Sequence, residues 1–159
     1  MNDAKFEDGG EQPLRLIATD EQDLQVLATL TQDAVFPTNE VKWDAKRRQF
    51  ALLINRFRWE DRSGAEAGQR AYERVQSLLV INDVTKVSSQ GFDRGDKELV
   101  LSLLSIDFTP DQEGPSGEMT LVLAGDGAIR CTVDCIEVIL KDVTRPYAAP
   151  SRRLPRHPE

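Results

Sequence analysis

Histidine is almost missing from this chain. His157, close to the end of 159 residues, is the only one. Ser-His-Asp and Cys-His catalysis therefore have no imidazole base, and a zinc site lacks ligands. Cysteine is nearly as scarce, with only Cys131 and Cys135. Placed on one strand they would stand about 13 Å apart, beyond the roughly 4.4–6.8 Å between the Cα atoms of a disulfide. They read as small buried hydrophobes in a reducing compartment. No apolar run approaches the roughly 18 residues of a membrane span. The first residues, MNDAKFEDGGEQ, lack the basic and apolar regions of a secretory signal, so the expected location is cytoplasmic. No GxGxxG follows a strand, and Gly114-Pro115-Ser116-Gly117 lacks the Lys-Ser/Thr of a P-loop. Asp93 to Glu98 lacks the alternating ligands of a calcium loop and reads as a hairpin turn. No catalytic residue, metal or cofactor is expected. Carboxylates are plentiful, but no pair stands out by spacing.

What is present is a well-patterned core. The chain is 40% hydrophobic and 30% charged, with a net charge of −7 that weighs against nucleic-acid binding. Its densest apolar region runs from Glu98 to Asp142 as three runs joined by turn-rich breaks. Leu99, Leu101 and Leu103 share one face of a strand, after which the apolar set moves to Leu104, Ile106 and Phe108. Ile129, Cys131, Val133 and Cys135 give way in the same manner to Ile136, Val138 and Leu140. A period-two strand cannot change phase without an extra residue or a new partner. Both changes predict β-bulges or corners between sheets. A helix over Ile136–Val143 competes with the second of these readings; its β-branched content favours strand.

Upstream, Leu14–Ala18 predicts a first strand. Asp20 then caps a helix of about residues 20–32, with Glu21 and Asp23 in its first turn and Leu24, Leu27 and Ala28 on one face. Val41–Asp44, Gln49–Trp59 and Arg70–Ile81 read as strands, the last two partly apolar on both faces, and VTKVSS as a further one. Glu60–Gln69 reads as a polar loop. Residues 1–12 form an acidic lead-in (Asp3, Glu7, Asp8 and Glu11 against Lys5), and residues 145–159 a basic Pro/Arg-rich tail; both are expected to be disordered. The domain between them, 13–144, is expected to be α+β: a strongly bent antiparallel sheet, or a partly closed barrel, with the one early helix over it.

The candidate binding surface is the basic and aromatic stretch 42–62, with Trp43, Arg47, Arg48, Arg56, Arg58 and Trp59 at its centre. Arginines on an outward strand face beside aromatics can hold phosphates and stack bases. The opposing reading puts the aromatics in the core and leaves the arginines to solvate the outer face. Arg152–Pro158 also matches a short polyproline-ligand pattern, a common one in such tails.

The segments LRLIATDEQDL (14–24), RRQFALLINRFRWE (47–60), LVLSLLSIDF (99–108) and GAIRCTVDCIEVILKDV (127–143) together resemble a bacterial family catalogued as domain-of-unknown-function family 2948. The resemblance covers about residues 13–144. It implies a cytoplasmic bacterial domain and supplies no site residue. The expected function is a non-catalytic domain working through contact with a protein partner or a second copy, away from membranes. Nucleic-acid or phosphate-ligand binding by 42–62 and a carboxylate-based enzyme are the alternatives.

Overall fold

A computed structural model describes residues 12–149. Strand β1 (Arg15–Ala18) leads into helix α1 (Glu21–Leu30). The Asp20 side chain accepts from the Asp23 N–H at 2.7 Å, satisfying one free donor of the first turn. Leu24, Leu27 and Ala28 are the buried face of α1, as their spacing predicts. The chain continues through β2 (Val35–Pro37), β3 (Val41–Asp44) and β4 (Gln49–Phe57). A 3-10 turn at Trp59–Asp61 runs into α2 (Arg62–Ala67), where a loop was expected. Gly64 and Gly68 hide this helix in the sequence; Gly68 is its C-cap at φ −86°, and Gln69 takes the left-handed position after it at φ +52°. Strands β5 (Glu73–Ile81), β6 (Val84–Gln90), β7 (Val100–Pro110), β8 (Gly117–Leu123), β9 (Gly127–Val133), β10 (Val138–Asp142) and β11 (Tyr147–Ala148) follow.

The sheet runs β1-β10-β5-β4-β2-β7-β8-β9-β6, with β3 added on β4 and β11 on β5. It is an α+β fold built on one mostly antiparallel sheet, strongly bent but not closed. The barrel alternative is thereby corrected: β1 and β6 end the sheet and do not pair with each other. The sheet has two halves. One holds β1, β10, β5 and β4; the other holds β7, β8, β9 and β6. Short β2 joins them, pairing Val35 with Asn55 of β4 and Val35–Pro37 with Ser102–Val100 of β7.

Both phase changes mark passages between the halves. Strand β7 pairs with β2 up to Ser102 and with β8 from Leu103 onward, and its register shifts between Leu103 and Ser105. That is the bulge the apolar pattern requires. The second change is a break. Strand β9 ends at Val133, Asp134–Glu137 turns, and β10 starts in the other half at Val138, so neither one continuous strand nor a helix spans this region. Cys135 consequently lies in the turn. Asn82–Asp83 carries β5 into β6 across the same corner, with Asp83 at φ +57°. Asp93–Glu98 is likewise a crossing loop and not a hairpin turn, since β6 and β7 are not neighbours.

Core side chains come from both halves and from α1: Leu24, Phe36, Leu52, Leu103, Leu121 and Cys131 all belong to one buried cluster. The folded region also reaches past residue 144. Tyr147–Ala148 pairs with Arg74 and Glu73, and the Ala149 N–H donates to the Tyr72 carbonyl at 2.8 Å. The start of the expected tail is therefore strand; its remainder, 150–159, and the lead-in up to residue 11 lie outside the described residues.

Candidate functional site

The six residues singled out from the sequence fall into two groups at opposite ends of β4. Trp43 sits on β3 opposite Phe50, with Arg47 and Arg48 in the turn that follows. Arg56, Arg58 and Trp59 lie at the far end. Eight residues separate Phe50 from Arg58, a rise of about 26 Å in an extended chain. One ligand-sized site cannot contain both groups.

Arg56 and Arg58 are not on an outer face. Arg56 is 0% exposed and Arg58 5%. Along β4 the buried phase is Phe50, Leu52, Ile54 and Arg56, so Arg56 occupies a core position. Its guanidinium donates to both Glu60 carboxylate oxygens (2.9 and 2.8 Å), to the Asp142 carboxylate (3.0 Å) and to Ser77 Oγ (3.0 Å). Ser77 Oγ donates to Asp142 at 2.6 Å, and the Leu14 N–H donates to the other Asp142 oxygen at 3.0 Å. Burial works against the charged guanidinium. The hydrogen bond and charge of Glu60, then those of Asp142, outweigh it and hold its pKa above the ordinary arginine value. Arg58 reaches Glu73, Glu60 and Asp61. Trp59 donates its indole N–H to the Gln32 carbonyl at 3.1 Å. These side chains tie β1, β4, β5, β10 and the Trp59–Asp61 turn together, leaving two of the proposed phosphate-binding arginines committed to carboxylates.

The near group borders a different feature. The seam between β3, an edge added on β4, and β6, one end of the sheet, is closed at one end, where the Val84 N–H donates to the Arg48 carbonyl at 2.9 Å. Beyond that point β3 and β6 part, leaving a wedge-shaped cavity of about 230 Å³. Trp43 and Phe50 form one wall, Val87 and Ile129 the other, and Phe92 and Arg94 stand at its margin. Its position is where a closing strand would lie in a barrel. Gly91, at φ +81°, lets the chain pass against the β8–β9 turn before Phe92: an added Cβ would lie 2.5 Å from the Asp126 carbonyl oxygen. Arg94 is exposed and makes no ion pair among the described residues. No Asp or Glu lines the cavity. Of the six sequence candidates only Trp43 lines it, with Arg48 at its closed end. Val87, Phe92, Arg94 and Ile129 had no local signal, because they converge from segments that the pattern of β6 and β9 alone does not relate to β3.

A family model described as a protein of unknown function (DUF2948) matches residues 14–157. The chain belongs to the DUF2948 family. The match covers the whole described sheet and runs through β11 into the basic tail. No curated protein and no solved structure matches the chain.

The closed end of the wedge in this DUF2948 chain is a polar corner. Arg48 pairs with Asp134, which raises its pKa against a smaller desolvation effect. Gln49 donates to Asn82 at 2.9 Å, and Asn82 to Glu137 at 2.9 Å. The half-buried Cys135 thiol donates to the Asp83 carboxylate at 3.3 Å, a contact that raises the thiol's pKa, with burial adding to it. Burial pushes the Cys131 thiol to about 12. Native protein treated with iodoacetamide at pH 8 should therefore lose one thiol slowly, Cys135, and a second only on denaturation. Asp83→Asn keeps a residue type tolerant of positive φ and removes the charge that holds the thiol proton. It should speed Cys135 alkylation measurably, since the thiolate and not the thiol is the nucleophile. An unchanged rate would exclude Asp83 as the restraining group.

Proposed function

We propose that this domain is a non-catalytic binding module. Its wedge between β3 and β6 takes an extended segment of a partner protein, anchored by one large apolar side chain. The observation that carries this reading is the coincidence of an apolar cavity with two open strand edges. Alternate residues of an edge strand turn their N–H and C=O groups outward, unpaired within the sheet. An added strand can satisfy them, as in other strand-addition complexes. The cavity volume favours a side chain over a whole small molecule: about 230 Å³ lies below the roughly 300–1,000 Å³ of drug-sized sites. Arg94 at the margin favours a segment with a nearby carboxylate.

The test is to select peptides from a displayed random library on the full-length protein. Enriched sequences should carry an aromatic or aliphatic anchor and an acidic residue. They should bind at least about tenfold more weakly to Trp43→Ala, the loss expected for a central aromatic contact. Trp43 is 38% exposed, so its removal leaves the core intact. Peptides that bind wild type and Trp43→Ala equally, or a selection with no enrichment, would remove the proposal.

A further inference from the structure

The outward face of the first half-sheet is apolar at its centre and changes sign of charge along its strands. Strand alternation and cross-strand register place Ile17, Ile139, Val80 and Ala51 in one row. The next row holds Arg15, Lys141, Leu78 and Leu53. The core residues of these strands lie on the opposite face. Ile17 is 48% exposed, and so is Val143, which continues the outward phase one row further and donates its N–H to the Gln76 carbonyl. A polar row closes the other end of the face: Gln49 donates to Asn82, and Asn82 to Glu137 Oε2, both at 2.9 Å.

Glu137 and Lys141 stand on either side of Ile139 along β10, and this order is self-complementary. Two copies stacked face to face about a two-fold axis crossing the strands level with Leu140 run their strands antiparallel. The axis sets Val80 of one copy against Leu78 of the other, and Ala51 against Leu53. Ile139 then meets the aliphatic stem of Lys141, whose charged end extends past it. Glu137 of each copy lies two residues along the strand from the level of Lys141 of the other. With the sheets about 10 Å apart, those Cα atoms are about 12 Å apart, which a glutamate and a lysine side chain together span. Strands about 4.8 Å apart and outward rows about 6.8 Å apart give the face roughly 500 Å², so two copies bury about 1,000 Å², the size a specific interface should reach.

We infer that the outward face of β1, β10, β5 and β4 binds the same face of a second copy of this chain. The contact is isologous: the apolar rows pack on each other, and the Glu137–Lys141 ion pair forms twice. An interface of this size gives a dimer that dissociates in the micromolar range. It leaves the wedge to its own ligand, because Trp43 belongs to the opposite phase of β3 from Lys42, the neighbour of Ala51 on this face.

The test is sedimentation equilibrium of the full chain from micromolar to sub-millimolar concentration. Wild type should pass from monomer to dimer. Lys141→Glu spares the fold, since it sets opposite charges across from each other at Arg15, but it places Glu137 against a second carboxylate at both contacts. Glu137→Lys does the reverse. Each alone should raise the dimer Kd at least about tenfold, since like charges brought together at an interface cost several kcal/mol. An equal mixture of the two variants should dimerise as tightly as wild type, because both contacts in the mixed dimer again join opposite charges. A role in the fold alone would not produce that rescue. Ile17→Glu, at a half-exposed position, should also be folded and monomeric, and it decides the matter independently of Glu137. A wild type that stays monomeric throughout would overturn the inference. So would a dimer indifferent to Ile17→Glu and Lys141→Glu, or a mixture of folded variants no tighter than either one.

Discussion

Asp142→Ala should destabilise the protein by about 3–5 kcal/mol, the range for removing one partner of a buried ion pair. The reason is what it leaves behind. Arg56 is 0% exposed, and Asp142 neutralises it together with Glu60. Without Asp142, the Ser77 hydroxyl and the Leu14 N–H also lose their acceptor. Glu60 alone cannot compensate, because its side chain is 28% exposed and part of its field is lost to solvent. A domain of this kind has only about 5–15 kcal/mol to lose, so the variant should unfold at a much lower urea concentration than wild type. Arg56→Met combined with Asp142→Leu removes both charges and should be less damaging than Asp142→Ala alone, because apolar replacement of a buried pair is often near neutral. A double-mutant cycle from urea denaturation measures the coupling directly. A loss below about 1 kcal/mol for Asp142→Ala would show that water or another donor takes over, and that the pair is not as dry as the geometry indicates.

The second large effect is expected at Phe36. Replacing it with alanine should cost about 3–5 kcal/mol, as for other fully buried phenylalanines. The position matters beyond its volume. Phe36 is 0% exposed and is the middle residue of β2, the short strand that joins the two half-sheets. It lies opposite Leu101 of β7, just before the bulge that redirects that strand. A cavity there opens the bend itself, where few backbone pairings hold the halves together. Val100→Ala is the control. Val100 pairs with Pro37 of the same strand but is 61% exposed, and a surface change of that kind should stay within about 0.5 kcal/mol. Equal midpoints for Phe36→Ala and Val100→Ala in urea would mean that β2 does not hold the bend.

The residues near the wedge and the far end of β4 differ in how far the sequence reveals them. Trp43 is visible in the sequence as an aromatic among cations. Arg56 and Arg58 look the same on that criterion, yet they are internal. A signal for Arg56 did exist: it follows Phe50, Leu52 and Ile54 at a strict interval of two. The competing phase through Leu53, Phe57 and Trp59 looked equally apolar, because β4 is apolar on both faces for most of its length. Only the acidic groups that meet Arg56 from β10 and from the Trp59–Asp61 turn separate the two phases.

The sequence by itself determined the local devices: the Asp20 cap and apolar face of α1, and the two phase changes that force the sheet to bend. These depend on residues close together in the chain, so their periodicity and turn chemistry are readable without a partner. The family, too, was legible in the order of the segments. Tertiary structure alone decided that the bent sheet stays open, that Asp134–Glu137 divides what reads as one strand, and that Phe92 and Ile129 meet Trp43 across a seam. Strand alternation says which residues share a face. It carries no information about which distant strand lies opposite, and charge alone does not say whether an arginine faces water or a carboxylate inside the fold.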